Sequence, residues 1–165
     1  MKTQLLIALL LVASLGGNLL VLQRERRIES TLAARHLTPA DYPVDRTMAD
    51  LQRYADKLWR AGQAGNWDLA EFYRTKLAQS THALVEAGAV TNGFPVGKTA
   101  AAMLVPAISA LGKPIGSHDA AGFQAAYPRL VTTCNTCHQA SGHPYLRIAT
   151  PEPSAERWNQ VFDVR

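Results

Sequence analysis

"FQAAYPRLVTTCNTCH" runs from Phe123 to His138. Phe123, Tyr127, Leu130, Cys134, Cys137 and His138 follow one another at spacings of four, three, four, three and one. On an ideal helix these six positions fall within an arc of about 100°. The period is helical, with no alternation of the kind a half-buried strand needs. The stretch therefore predicts a helix from a cap at Ser117 to about Ala140, kinked at Pro128. Its core face ends in two thiols and an imidazole, and those are the only cysteines in 165 residues.

Three more helices are expected upstream. Thr47, followed by Asp50, reads as an N-cap with an approximate capping box. It starts a helix from Met48 to about Ala61 with an apolar stripe of Met48, Leu51, Ala55, Leu58 and Gly62. Asn66 caps a second helix, from Trp67 to Ala87, stopped by Gly88. Its expected stripe is Leu69, Phe72, Tyr73, Leu77, Ser80 and Leu84. After a loop with Asn92, Gly93 and Pro95 comes an alanine-rich helix from about Thr99 to Leu111, with Pro106 as a kink. Gly112, Pro114 and Gly116 then interrupt it. Short loops between four helices predict an all-α, up-down-up-down four-helix bundle, with an N-terminal membrane or signal helix ahead of it.

That leading segment is Leu5 to Leu22, apolar apart from Ser14, Gly16, Gly17 and Asn18, after a short positive start at Lys2. Two readings stay open. A cleaved export signal would use Leu5 to Ala13, with its small-residue site between Ser14 and Gly17. An uncleaved anchor would use the whole run, about 27 Å of helix. Arg24, Arg26 and Arg27 on its C-terminal flank oppose the positive-inside rule for an outward-facing domain. Both readings put the domain in the periplasm, either tethered to the inner membrane or soluble. The expected organisation is a signal or anchor (1–22), a helical extension and proline-containing linker (23–46), a helical domain (47–140) and a C-terminal extension (141–165).

Composition removes other classes. Hydrophobic content of 47% and charged content of 18% describe a chain that folds around a core. A net charge of +4 favours acidic docking surfaces on partner proteins. No block of like charge suggests a nucleic-acid partner. There is no Ser-His-Asp order and no HExxH. Gly97-Lys98-Thr99 lacks the spacing and the strand of a phosphate loop. No catalytic residue is expected, and the chain reads as a non-enzyme.

The pentapeptide Cys134 to His138 is a C-x-x-C-H sequence, the attachment signature of c-type haem. Cysteines three apart can form thioethers with the two vinyl groups of the macrocycle, and the next residue presents an imidazole to the iron. A thioredoxin-type redox pair would sit in a βαβ unit, and no strands are expected. A disulfide inside one helix closes too small a loop to stabilise much. A zinc site would need further ligands, and there are no more cysteines. One haem c per chain is expected, bound through Cys134 and Cys137, with His138 as the proximal iron ligand.

A bundle with CNTCH near the end of its last helix resembles the class II c-type cytochromes, the cytochrome c′ group. "KLWRAGQAGNWDLAEFY" (Lys57 to Tyr73) is also similar to a helical turn of small exported monohaem cytochromes. The resemblance spans roughly Thr47 to Ala140. It implies a four-helix haem domain, electron transfer or gas binding at the iron, and possible homodimers. It also gives Cys134, Cys137 and His138 the family's haem-binding roles. The family ends soon after its motif, whereas this chain continues from Gln139 to Arg165. The family often has a basic residue shortly after the histidine, where this chain has Gln139-Ala140-Ser141-Gly142.

No methionine follows Met103, so a ligand placed after the motif, as in class I cytochromes c, is excluded. In the expected bundle Met48, His82 and Met103 are the candidates for the sixth iron position. His82 lies opposite its helix's stripe and is expected in solvent. Met103 lies at a stripe edge, as gap-filling core. Low-spin members of the resembled family use a methionine from the first helix, a position matching Met48. Met48 either binds iron or packs over the ring. His143 is expected at the haem edge, and His36 and His118 in solvent. Trp59, Trp67, Phe72 and Tyr73 read as core, and Asp68 and Glu71 as helix-dipole partners. Three functions follow: a periplasmic electron carrier, a nitric oxide or carbon monoxide binder, and a thiol–disulfide oxidoreductase using Cys134 and Cys137.

Overall fold

The protein is described by a computed structural model covering residues 17–18, 20–26 and 38–152. The chain divides into two units, Met1–Leu37 and Thr38–Arg165. In the first, residues 20–26 are helical. The Leu5 to Ala13 segment, the cleavage region up to Gly16, and His36 lie outside the described residues.

The second unit is all-α. Its helices are α1 (Val44–Gln63), α2 (Trp67–Glu86), α3 (Val96–Ala110), the short α4 (Gly112–Gly116) and α5 (Ala120–Ala140). Among the described residues there is no strand, only an isolated bridge between Thr91 and Phe94. α1 packs along α2, α2 along α3, α3 against α5, and α5 back against α1.

Several helix starts differ from expectation. α1 begins at Val44, with Pro43 before it, and α3 begins at Val96, after Pro95. A proline at a helix entrance costs no hydrogen bond, because the first N–H groups have no partner within the helix. The expected Thr47 cap is instead inside the first turn, its hydroxyl 3.2 Å from the Tyr42 hydroxyl and 3.3 Å from the Pro43 carbonyl. The expected boundary between residues 46 and 47 therefore falls within α1. At α2 the expected cap holds: Asn66 accepts from the Leu69 N–H at 3.2 Å. At α5 the cap is Asp119, not Ser117; Asp119 accepts from the Gly122 N–H at 2.9 Å, while Ser117 donates back to the Lys113 carbonyl. Gly112 to Gly116 forms a helical turn of its own rather than a plain break.

The α1 stripe is buried as expected at Leu51, Ala55, Leu58 and Gly62. On α2 the buried face is Ala70, Tyr73, Leu77, Thr81 and Leu84. Phe72 is 51% exposed, so it is not core; Lys76 lies over its outer ring face. Trp59 stacks on Phe123 and tilts against Tyr127, with ring centroids 5.9 and 4.7 Å apart. Gly62 is required here, because a Cβ at that position would run into the Phe123 ring. The main core joins α1, α2, α4 and α5 through Leu58, Leu77, Leu111, Ile115, Phe123 and Tyr127. A smaller cluster of Leu84, Ala89, Val96 and Ala100 lies beside it, and Met48 and Leu104 touch both. Val96–Gly116 is also long and apolar enough, by composition, to cross a membrane; its Val96, Ala100 and Ile108 are buried in these clusters.

Candidate functional site

α5 carries the site because its face keeps one period along its length. Phe123, Tyr127 and Leu130 are fully buried, and the next residues on that face, Cys134, Cys137 and His138, are half-buried. They line a narrow apolar cleft with about 60 Å³ of open space, next to a wider mouth of about 570 Å³; only the mouth is within the roughly 300–1,000 Å³ typical of small-molecule and cofactor sites. The opposing walls are Met48, Leu51 and Ala55 from α1, Leu77 from α2, and Val96, Ala100, Met103 and Leu104 from α3. Ile148, beyond α5, closes part of it. The wider mouth shares Met48, Gln52, Val96, Cys137 and His138, and adds Tyr42, Asp45, Thr91, Ser141, His143 and Leu146.

All four residues expected at the site therefore meet at one cleft, and Met103 joins them. Met48 enters from the first turns of α1, part-buried against both core clusters. Met103 is half-buried at the cleft wall, a more prominent position than gap-filling core. His143 lines the mouth, its Nδ1 3.1 Å from the Ser141 hydroxyl. His82 is exposed and 3.1 Å from Glu86, away from the cleft lining. His118 is exposed and stacks on Trp67. Glu71, on the first turns of α2, pairs with Arg74 at 2.7 Å, which holds its carboxyl below the usual range.

Both cysteines are free thiols. Burial pushes the Cys134 thiol up to about 11, with Cys137 beside it adding to the shift, and burial also raises Cys137. A low-dielectric surrounding disfavours the thiolate, the opposite of what a reactive redox cysteine needs. Among the described residues no three His, Cys, Asp or Glu side chains converge as a metal site. Two thiols, one imidazole and nearby thioethers on an apolar wall are groups that could hold a cofactor bringing metal ligands of its own.

Sequence reasoning missed three contributors. Asn135, between the cysteines, exchanges two hydrogen bonds with the Ile148 backbone. The Leu146 carbonyl lies 2.9 Å from His138 Nδ1. Each contact joins a side chain to a backbone group, and no sequence spacing announces which backbone group it will be. Comparison with known proteins gives no matching family model, no matching curated protein and no matching solved structure.

Proposed function

We propose that the chain is an exported monohaem c-type cytochrome, a four-helix bundle of the class II kind, that carries electrons in the periplasm. The observation that carries this reading is the convergence of Cys134, Cys137, His138 and Met48 on one apolar cleft. The closed circuit of contacts from α1 through α2 and α3 to α5 supports the bundle assignment. Cys134 and Cys137 would hold one haem c covalently, and His138 would supply its proximal imidazole. Bound there, haem supplies a reversible one-electron iron couple. The leucine, valine and alanine walls would keep water from a haem held there, which would favour its reduced, less charged state. His138 stands at both the cleft and its wider mouth, so one edge of the site faces solvent, as outer-sphere transfer requires. The sequence pI of about 9.3 suits redox partners with acidic docking surfaces. Export through the N-terminal segment, with or without an inner-membrane tether, belongs to the same reading, as do possible homodimers.

The gas-binding alternative parts from this reading only at the sixth iron position, where Met48 and Met103 are the available thioethers. The thiol–disulfide alternative loses support from the raised pKa of both cysteines. The test is the visible spectrum of the exported full-length protein in both oxidation states, with and without carbon monoxide. We expect an intense Soret band that survives denaturing extraction and disappears in Cys134→Ala/Cys137→Ala. A colourless wild type sinks the haem reading. A low-spin spectrum with slow carbon monoxide uptake favours electron transfer, and a high-spin one with fast uptake favours the gas binder.

A further inference from the structure

The chain turns back on itself immediately after α5. Ser141 ends the helix, and Gly142 has a φ of +82°, a left-handed conformation that side chains disfavour. His143 N–H then bonds the His138 carbonyl at 2.8 Å, and Leu146 N–H bonds the His143 carbonyl at 3.0 Å. The returning segment meets α5 at Asn135. The Asn135 amide donates to the Ile148 carbonyl at 2.8 Å, and its oxygen accepts from the Ile148 N–H at 2.7 Å. Both backbone groups of Ile148 are thus satisfied by one side chain. An aspartate of the same shape could accept but not donate, so the pairing is specific to an amide.

Two residues before this clamp, the Leu146 carbonyl faces His138 Nδ1 at 2.9 Å. A carbonyl only accepts, so Nδ1 must carry the proton and donate. In the neutral ring Nε2 is then the nitrogen with the free lone pair. The side chains of the same strap, Leu146 and Ile148, line the mouth and the inner cleft respectively.

We propose that Asn135 is a positioning residue: by pinning Ile148 it holds the Leu146 carbonyl on His138 Nδ1, fixing the tautomer and ring orientation that leave Nε2 free to bind iron. Its role toward iron rests on the haem reading; its role toward His138 does not. A hydrogen bond donated by the outer nitrogen of a ligating histidine also raises the basicity of the inner one, which favours ferric over ferrous iron.

The experiment uses the full-length chain labelled with ¹⁵N-histidine, in the diamagnetic ferrous carbon monoxide form where haem is carried. The readouts are the His138 Nδ1–H resonance, its exchange with solvent, and the reduction potential. Wild type should show a protonated Nδ1 in slow exchange. Asn135→Ala should speed that exchange by about tenfold or more, the effect of losing one or two hydrogen bonds. Asn135→Asp, which keeps one of the two bonds, should fall between. Thr136→Ala, at the exposed neighbouring position, should match wild type. The potential should rise in Asn135→Ala, which adds no charge. Wild-type exchange in both Asn135 variants overturns the proposal, and so does an equal acceleration in Thr136→Ala. If the exchange pattern holds in a protein that never carries haem, the haem reading fails and the positioning of His138 stands.

Discussion

The two ends of α5 both pack beside α1 and are built differently. At its N-terminal half Phe123, Tyr127 and Leu130 are at most 1% exposed, and Trp59, Leu58 and Ile115 fill the space between helices. The Tyr127 hydroxyl donates to the Ala55 carbonyl at 2.8 Å, so even the polar tip of that ring is satisfied within the core. At its C-terminal half a cleft opens instead, where Met48, Ala55, Met103, Cys134 and Cys137 stand among Leu51, Leu77, Leu104 and Ile148. Large rings fill the space between helices at one end, and at the other end the helices leave an apolar cleft that opens to a wider mouth. The packed core and the candidate site are thereby separated along one helix.

The contrast can be broken most severely at the filled end. Phe123→Ala removes a fully buried ring against Gly62, Trp59 and Tyr127. We expect a loss of about 3–5 kcal/mol. For a domain of this size, thermal denaturation should shift down on the order of 10 °C or more. A shift of only a degree or two would mean that the aromatic end does not carry the fold.

The thiols sharpen the comparison at the other end. Raising Cys134 from 9.0 to about 11 leaves its thiolate about a hundredfold scarcer at neutral pH. In protein made without haem attachment, alkylation by iodoacetamide at pH 7.5 should be slower than for a small free thiol by about that factor. Because burial disfavours the charged form, the deficit should close as the pH rises towards 11. Fast alkylation at neutral pH would revive the thiol–disulfide reading.

The smallest effect on stability is expected at Met48, which is only part-buried beside the cleft. Met48→Ala should cost less than about 2 kcal/mol, below the range for a fully buried methionine. Its effect should appear in the spectrum instead. If the thioether binds iron, the variant loses its low-spin signature, its reduction potential falls and carbon monoxide binds faster. An unchanged low-spin spectrum excludes Met48 as the ligand and directs attention to Met103, which shares the cleft.

The α-helical class, the buried stripe of α1 and the shared face of Cys134, Cys137 and His138 were legible in the sequence. Each depends on residues three or four apart, and that relation is internal to a helix. The Asn66 cap was legible for the same reason, since it reaches only to Leu69. Phe72 was misjudged because its spacing suits a stripe rotated slightly from the one α2 buries; only the neighbours on either side decide which face turns inward. α1 starts earlier than a Thr47 cap predicts because Pro43 opens the helix, and α3 likewise starts directly after Pro95, ahead of Thr99.

Taken alone, the sequence determined that two thiols and an imidazole would lie together on one helical face, because covalent spacing and helical pitch leave no other outcome. That Met48 and Met103 share their cleft, and that Asn135 holds a returning strap against His138, was decided only in the tertiary structure. Those contacts join separate helices, or join side chains to backbone groups that every residue possesses. Their geometry comes from how the helices pack and where Gly142 turns the chain, so even where the contact needs an amide, as at Asn135, the residue type does not say which backbone it will meet.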